Sequence, residues 1–190
     1  GTYPITNFYE RRARRILPAL FFVIFCSLIP AWVLMAPHQL KDYSQSLVAV
    51  AAFSSNILFW KESGYFEVTA ELKPLLHTWS LSVEEQFYVI FPLCLALLLR
   101  FSKGIQIYII AIITLLSLGL AQWASTTEPS GNFFLLPTRA WELLAGSLIA
   151  FKTFGTIQVK RQSFWEWVGF ILVILSIVTY DENTPFPSLW

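Results

Sequence analysis

Apolar residues form six long runs along the chain, and short polar stretches separate them. About 20 apolar residues in a helix cross the hydrocarbon core of a bilayer, and lipid cannot satisfy the open backbone of less regular structures. Two of the runs, 17–36 and 105–124, contain no charged residue and are long enough to span. The pattern predicts an all-α, polytopic transmembrane helix bundle with about six membrane segments. The four shorter runs are 44–60, 83–99, 137–151 and 164–180.

The composition strengthens the membrane prediction. Hydrophobic residues make up 56% of the 190 residues and charged residues only 13%, whereas soluble domains are about 45–50% apolar and about 25% charged. The basic residues lie at the ends of apolar runs rather than along a soluble face, which argues against nucleic-acid binding. Cys26 and Cys94 lie inside apolar runs, where a thiol packs as a small hydrophobe, so their spacing predicts no metal site and no disulfide.

The positions of the basic residues predict an orientation and expose a conflict. Four arginines precede the first run, which makes that end cytoplasmic by the positive-inside rule. The basic residues after the third and fifth runs are expected on the same side, yet three segments separate Arg15 from Arg100, an odd number. One segment is therefore predicted to be re-entrant, either 44–60 or 64–79. Irregular backbone at membrane depth occurs where it lines protein or a cavity, so the conflict also suggests a site nearby.

The arginines at the start of the chain are the first candidate site. On a helix, Arg11, Arg14 and Arg15 fall on one face, and guanidinium groups bind phosphates in bidentate fashion. This pattern suits a phosphorylated cofactor such as coenzyme A. The alternative is a topology signal that contacts anionic membrane lipid.

The second candidate site is the polar stretch 76–88, next to the third apolar run. Ser82 and Glu85 have the spacing of a capping box, which would give Glu85 a structural role. Glu84 has no such role, and a carboxylic acid at the start of a membrane helix is a candidate acid or base. His77 is either a catalytic group or an interfacial residue. Pro92 is expected to kink the helix that follows.

Two further clusters complete the candidates. Arg139 and Glu142 can pair at spacing i, i+3, either at the membrane interface or inside a polar site. Asn56, close to aromatic residues, is suited to line a sugar site, and the alternative is an interfacial aromatic belt.

Five ordered stretches resemble the acyltransferase 3 family of bacterial membrane enzymes, which O-acylate surface polysaccharides. They are YERRARRILPAL at 9–20, SNILFW at 55–60, GYF at 64–66, LHTWSLSVEEQFY at 76–88 and RAWELLAG at 139–146. The resemblance implies transfer of an acyl group, expected to be acetyl, from acyl-coenzyme A to a hydroxyl of a glycan or lipid-linked glycan such as lipopolysaccharide O-antigen. It also implies a multi-pass protein of the bacterial inner membrane, in contact with lipid. Acetyl-coenzyme A is a cosubstrate, and no bound cofactor or metal is expected.

The residue patterns and the resemblance together give the candidate roles; the resemblance itself favours donor binding by the arginines and a polar core that includes Glu84, Glu85, Arg139 and Glu142. The catalytic candidates are Glu84, Glu85 and His77, and the donor is assigned to Arg11, Arg12, Arg14 and Arg15. A substrate or polar core is assigned to Asn56, Trp79, Tyr88, Arg139 and Glu142.

One departure from the family matters most. An Arg–His helix that carries the family's catalytic histidine has no match here, and that role is not transferred to His77. Residues 1–190 are therefore expected to be a fragment of one acyltransferase 3 membrane domain, inactive in isolation because the general base is missing. The alternatives are a membrane transporter and a non-catalytic remnant of the family.

Overall fold

The structure is a computed structural model, which describes residues 5–63, 73–153 and 162–179. The described residues form helices and connecting turns and contain no strand, so the predicted all-α architecture is confirmed. Two compact units divide the chain, Gly1–Ala96 and Leu97–Trp190. The helices are α1 (Ile5–Leu34), α2 (Pro37–Ala51), α3 (Ser55–Ser63), α4 (Thr78–Leu98), α5 (Lys103–Thr127), α6 (Pro129–Phe134), α7 (Leu136–Thr153) and α8 (Gln162–Thr179).

Four candidate membrane spans meet the requirements of length and apolar composition: Ile5–Leu34, Thr78–Leu98, Lys103–Thr127 and Pro129–Phe151. The last includes α6 and most of α7. The apolar part of α8, Glu166–Thr179, is shorter. The predicted multi-pass character is therefore confirmed among the described residues, whereas the predicted count of about six segments is not. Many large apolar side chains on these helices are exposed, for example Trp32 at 77% and Ile29 at 73%, as expected for a surface that faces lipid.

The predicted segment 44–60 is not one helix. Helix α2 ends at Ala51, the chain turns at Ala52–Ser54, and α3 begins at Ser55. Phe53 at the turn has φ 50°, in the left-handed region that a non-glycine residue adopts only at some cost. At a rise of about 1.5 Å per residue, α2 is about 22 Å long and α3 about 13 Å, so neither crosses a bilayer core of about 30 Å.

The contacts between α1 and α4 are consistent with an even number of crossings between them. The Tyr9 hydroxyl donates to the carbonyl of Val89 (2.9 Å), and Arg12, further along α1, pairs with Glu85, earlier in α4. The two helices are thus antiparallel where they meet. Because 44–60 does not cross, two segments rather than three separate Arg15 from Arg100, and both basic stretches can lie on the same side of the membrane. The other suspected re-entrant stretch, 64–79, lies largely outside the described residues.

In the first unit, the apolar core joins α1, α2 and the turn before α4. Its buried members are Leu20, Ala31, Tyr43, Val50 and Leu75.

In the second unit, a hydroxyl of α5 bonds to the first turn of α7. Ser117 Oγ donates to the carbonyl of Pro137 (2.6 Å) and accepts from the amide of Trp141 (3.0 Å). Those two backbone groups are at the i, i−4 spacing of a helical hydrogen bond, so the hydroxyl contacts both partners of one helical turn. The Ser117 side chain therefore fixes α7 against α5 by backbone bonds as well as packing.

Candidate functional site

Helix α4 begins earlier than the sequence analysis predicted, and its start changes the role of several residues. The helix starts at Thr78, so Ser82 lies inside it and is not its N-cap. The predicted capping box between Ser82 and Glu85 is therefore wrong. A helix that starts at Thr78 instead places four polar side chains on one face, because their spacing is i, i+4, i+7 and i+8. These residues are Thr78, Ser82, Glu85 and Gln86, and we call them the polar face of α4.

Three hydroxyl groups meet at the N-terminal end of the polar face of α4, near Thr78. Ser82 Oγ lies 2.7 Å from Ser55 Oγ, and Thr78 Oγ1 donates to Ser55 Oγ (3.1 Å) and to the carbonyl of Leu75 (2.7 Å). All three side chains are buried. Buried hydroxyls need partners, and these provide them for one another, which ties α3 to α4.

An amide pair lies one turn further along α4. Gln86 Nε2 donates to Asn56 Oδ1 (2.8 Å) and to the carbonyl of Phe53 (2.9 Å). The second bond satisfies the backbone at the strained turn between α2 and α3. Asn56 is 0% exposed, so it offers no surface to a sugar in this structure. Its predicted role in lining a sugar site therefore gains no support from its position.

Glu85, the charged residue of the polar face of α4, forms an ion pair with α1. Arg12 of α1 donates to Glu85 through Nη2 (2.6 Å to Oε1) and Nε (2.9 and 3.1 Å to Oε1 and Oε2). The Tyr88 ring lies against the guanidinium group, with Cζ 3.3 Å from the ring centroid. The side chains of Arg12 and Glu85 are 20% and 11% exposed. Such forked, charge-assisted pairing is the strong form of a salt bridge.

The other catalytic candidates lie on the surface. Glu84 and His77 are exposed, and Trp79 is half-buried. Glu84 has no ion-pair or hydrogen-bond partner in its side chain among the described residues. The expectation that Glu84 belongs to a buried polar core is therefore not supported, because adjacent residues on a helix point about 100° apart and Glu85 takes the inward position.

The remaining arginines of α1 present their charges outward. Arg11, Arg14 and Arg15 are exposed, and we call them the arginine patch. Arg14 pairs with Glu10 one turn earlier, but both side chains are largely exposed, at 79% and 57%, and such pairs contribute little to stability. Arg15 has no partner among the described residues. The patch is therefore positive and accessible, as an anion-binding surface requires.

In the second unit, the predicted pair between Arg139 and Glu142 is present. Arg139 Nη2 donates to both carboxylate oxygens of Glu142, each at 3.2 Å, and Nη1 donates to the carbonyl of Phe133 (3.4 Å). The Arg139 side chain is only 13% exposed. Pro137 lies in the first turn of α7. The pair has an evident structural role at the junction of α6 and α7, and a role toward substrate stays a prediction.

A groove of about 540 Å³ lies between α2 and α3, and none of the predicted site residues lines it. Apolar side chains form most of its surface, and Lys61 adds a charge. No cluster of His, Cys, Asp or Glu among the described residues could hold a metal ion.

Comparison with known proteins decides the family. The model of a family described as an acyltransferase domain matches residues 1–187 of the chain. The chain belongs to the acyltransferase 3 family. The resemblance found in the sequence is thereby confirmed, as is the class of enzyme, an acyltransferase, at the level of the family.

The relatives are bacterial proteins. An uncharacterised protein of Haemophilus influenzae is 32% identical over 189 residues, which cover 93% of this chain and 74% of that protein. O-acetyltransferase OatA of Staphylococcus aureus is 34% identical over 151 residues, 77% of this chain and 25% of OatA. The putative peptidoglycan O-acetyltransferase YrhL of Bacillus subtilis is 29% identical over 196 residues, 95% of this chain and 30% of YrhL. The chain thus spans about a quarter to a third of the two O-acetyltransferases. No solved structure matches the chain.

Several residues that join the helices were not identified from the sequence, and Ser82 was identified only as a helix cap. Ser55, Thr78, Ser82 and Gln86 form the network around the α3–α4 contact, and Ser117 forms the one between α5 and α7. A signal for the first group was present, since the polar residues of α4 recur at helical spacing once the helix is started at Thr78. No signal in the sequence pairs Arg12 with Glu85, because they are 73 residues apart.

Proposed function

We propose that this protein is a membrane O-acyltransferase that moves an acetyl group from acetyl-coenzyme A to a hydroxyl of a bacterial surface polysaccharide. The match of an acyltransferase domain to residues 1–187 carries the proposal. Two relatives named as O-acetyltransferases favour acetyl as the group transferred. The four apolar helices favour a multi-pass protein, and we assign it to the cytoplasmic membrane.

The arginine patch is the proposed docking surface for the donor. Coenzyme A carries several phosphate groups, which guanidinium groups bind with two parallel hydrogen bonds. Arg11, Arg14 and Arg15 are exposed and Arg15 is unpaired among the described residues. By the positive-inside rule this end of α1 faces the cytoplasm, where acetyl-coenzyme A is made.

The acceptor is proposed as a hydroxyl group of a glycan outside the cytoplasm. The sequence resemblance suggested lipopolysaccharide O-antigen, and YrhL is named for peptidoglycan. Both glycans offer sugar hydroxyls, so the same reaction serves either one. The sugar oxygen attacks the acyl carbonyl and the thioester bond breaks. The hydroxyl proton leaves with the thiolate as free coenzyme A.

The test uses inverted membrane vesicles that contain the full-length gene product and its native glycans. Acetyl-coenzyme A labelled in the acetyl group is added outside, and label is counted separately in lipid-linked glycan and in peptidoglycan. The informative variant is Arg14→Gln with Arg15→Gln, and Lys41→Gln is the matched control, because Lys41 is an exposed cation of α2 outside the patch.

We expect label in one of the two glycans. The KM for acetyl-coenzyme A should rise about 100-fold or more in the double arginine variant, since each of the two lost charged hydrogen bonds contributes about 1.5–3 kcal/mol and about 1.4 kcal/mol is a factor of ten. The control should stay close to the parent. An abundant protein that labels no glycan would refute the enzyme assignment. Label transfer with an unchanged KM in the double variant would refute the docking surface only.

A further inference from the structure

The four arginines of α1 have two different roles. We infer that Arg12 is a positioning residue that holds α1 against α4 through Glu85 and Tyr88, while donor binding belongs to the arginine patch of Arg11, Arg14 and Arg15. The inference rests on the proposed function, and it divides a cluster that the sequence presents as one basic run.

One edge of the Arg12 guanidinium group is directed into the protein. The edge of its guanidinium group formed by Nε and Nη2 is bound to Glu85 by three contacts of 2.6–3.1 Å. One face of the group is covered by the Tyr88 ring at 3.3 Å. This edge is the fork that a phosphate would use for bidentate binding. A donor could bind there only after the bond to Glu85 was broken.

Exposure separates Arg12 from its neighbours on the same helix. Its side chain is 20% exposed, whereas that of Arg14 is 79% exposed. The helical period accounts for the difference, because Arg12 lies about 100° from Arg11 and about 200° from Arg14 around the axis. The face that contacts α4 carries Arg12; Arg15 lies beside that face, about 60° from Arg12, and is exposed, while Arg11 and Arg14 lie further round the helix.

The position of Glu85 explains why a pair is needed. Glu85 lies about 10 Å from the start of α4 at Thr78 and about 20 Å from its end at Leu98, at about 1.5 Å per residue. Ionisable groups inside a membrane helix are costly unless they are paired or hydrated. Arg12 and Glu85 neutralise each other, so together they add no net charge to the interface between the helices.

The pair also fixes the register of the two helices. A second contact, from the Tyr9 hydroxyl to the Val89 carbonyl, lies one turn away on the same side. Two contacts one turn apart prevent α1 from sliding along α4. They hold the arginine patch at a defined height relative to the polar face of α4. A small displacement of a bound group is enough to lower the rate of a reaction about 100-fold.

The experiment compares removal of one charge with removal of both. The variants are Arg12→Gln, Arg12→Gln with Glu85→Gln, Arg12→Lys, and Arg15→Gln as the member of the patch. Each is made in the full-length gene product. Three quantities are measured in membranes: protein abundance, equilibrium binding of labelled acetyl-coenzyme A, and the kcat and KM of transfer.

For a positioning residue, Arg12→Gln should lower kcat about 10- to 100-fold, with donor affinity within about twofold of the parent. The kcat of Arg12→Lys should lie between that of Arg12→Gln and that of the parent. The variant Arg12→Gln with Glu85→Gln should recover part of the lost kcat, because no unpaired carboxylate remains. Arg15→Gln should show the opposite pattern, with about tenfold weaker donor binding and kcat nearly unchanged.

The inference is overturned if the variant Arg12→Gln with Glu85→Gln binds acetyl-coenzyme A as weakly as Arg15→Gln does. Equal loss of kcat in the single and double variants would also overturn it. If Arg12→Gln fails to accumulate, the double variant and Arg12→Lys still supply the binding comparison. A parent protein that neither binds nor transfers the acetyl group would instead refute the proposed function.

Discussion

Two adjacent glutamates of α4 should respond very differently to the same change. Replacing Glu85 by Gln removes the negative charge that faces Arg12, and replacing Glu84 by Gln removes a charge from an exposed position. The two variants have the same composition and lie one residue apart in the same helix. They are therefore matched controls for each other.

The expected magnitude follows from the contacts. Breaking a buried ion pair from one side costs about 3–5 kcal/mol, because the remaining charge is left uncompensated. Here the Arg12 side chain is 20% exposed, and the amide of Gln keeps an acceptor oxygen within reach, so we expect about 2–3 kcal/mol. Glu84→Gln should stay within about 0.5 kcal/mol, as surface substitutions usually do.

The assay is thermal unfolding in detergent, followed by tryptophan fluorescence or by the fraction that remains monodisperse after heating. For a chain of this size a change of 1 kcal/mol shifts Tm by about 2–4 °C. Glu85→Gln should therefore lower Tm by about 4–12 °C, and Glu84→Gln should lower it by less than about 2 °C. Equal shifts, or a larger shift for Glu84→Gln, would refute the assignment of the inward position to Glu85.

Three further changes test other parts of the structure. Ser117→Ala should cost about 1 kcal/mol, since it removes the hydrogen bonds of the Ser117 hydroxyl to the Pro137 carbonyl and the Trp141 amide; faster hydrogen exchange at that amide is the readout, and unchanged exchange would contradict the contact. Asn56→Ala should cost about 1–3 kcal/mol, because it leaves the Gln86 amide with an unfilled partner in a buried site; a thermal scan measures the loss, and a Tm equal to that of the parent would contradict the burial. Tyr9→Phe should cost less than about 1 kcal/mol, as its bond is exposed and single, and a larger loss in the same scan would show that the contact between α1 and α4 was underestimated.

The motif around residues 76–88 shows how far a sequence can carry the assignment. Its letters identified the family, and the family model later matched 1–187. The same stretch misled about structure, because Ser82 and Glu85 have the spacing of a capping box even though the helix starts at Thr78. Local spacing alone does not show where a helix begins. The hydroxyl and amide networks with α3 decide that Ser82 and Gln86 face inward, and the ion pair with Arg12 of α1 decides the same for Glu85.

The segment 44–60 shows a complementary case. Its length and apolar composition suit a membrane span, yet the odd count of segments indicated that one of them does not cross. The structure assigns the interruption to the turn at Phe53, where φ is 50°. No glycine or proline marks that turn in the sequence, and the serines at 54 and 55, which favour a helix start, are a weaker signal for its position. The carbonyl of Phe53 is satisfied by Gln86, 33 residues away.

The sequence by itself determined the membrane class, the all-helical architecture and the family, because these depend on the apolar content of long runs and on the order of short motifs. The tertiary structure alone decided which polar residues meet. Arg12 and Arg14 are chemically identical, and so are Glu84 and Glu85. Which member of each pair is buried depends on the face of the helix that contacts another helix, and that contact is made between residues far apart in the chain.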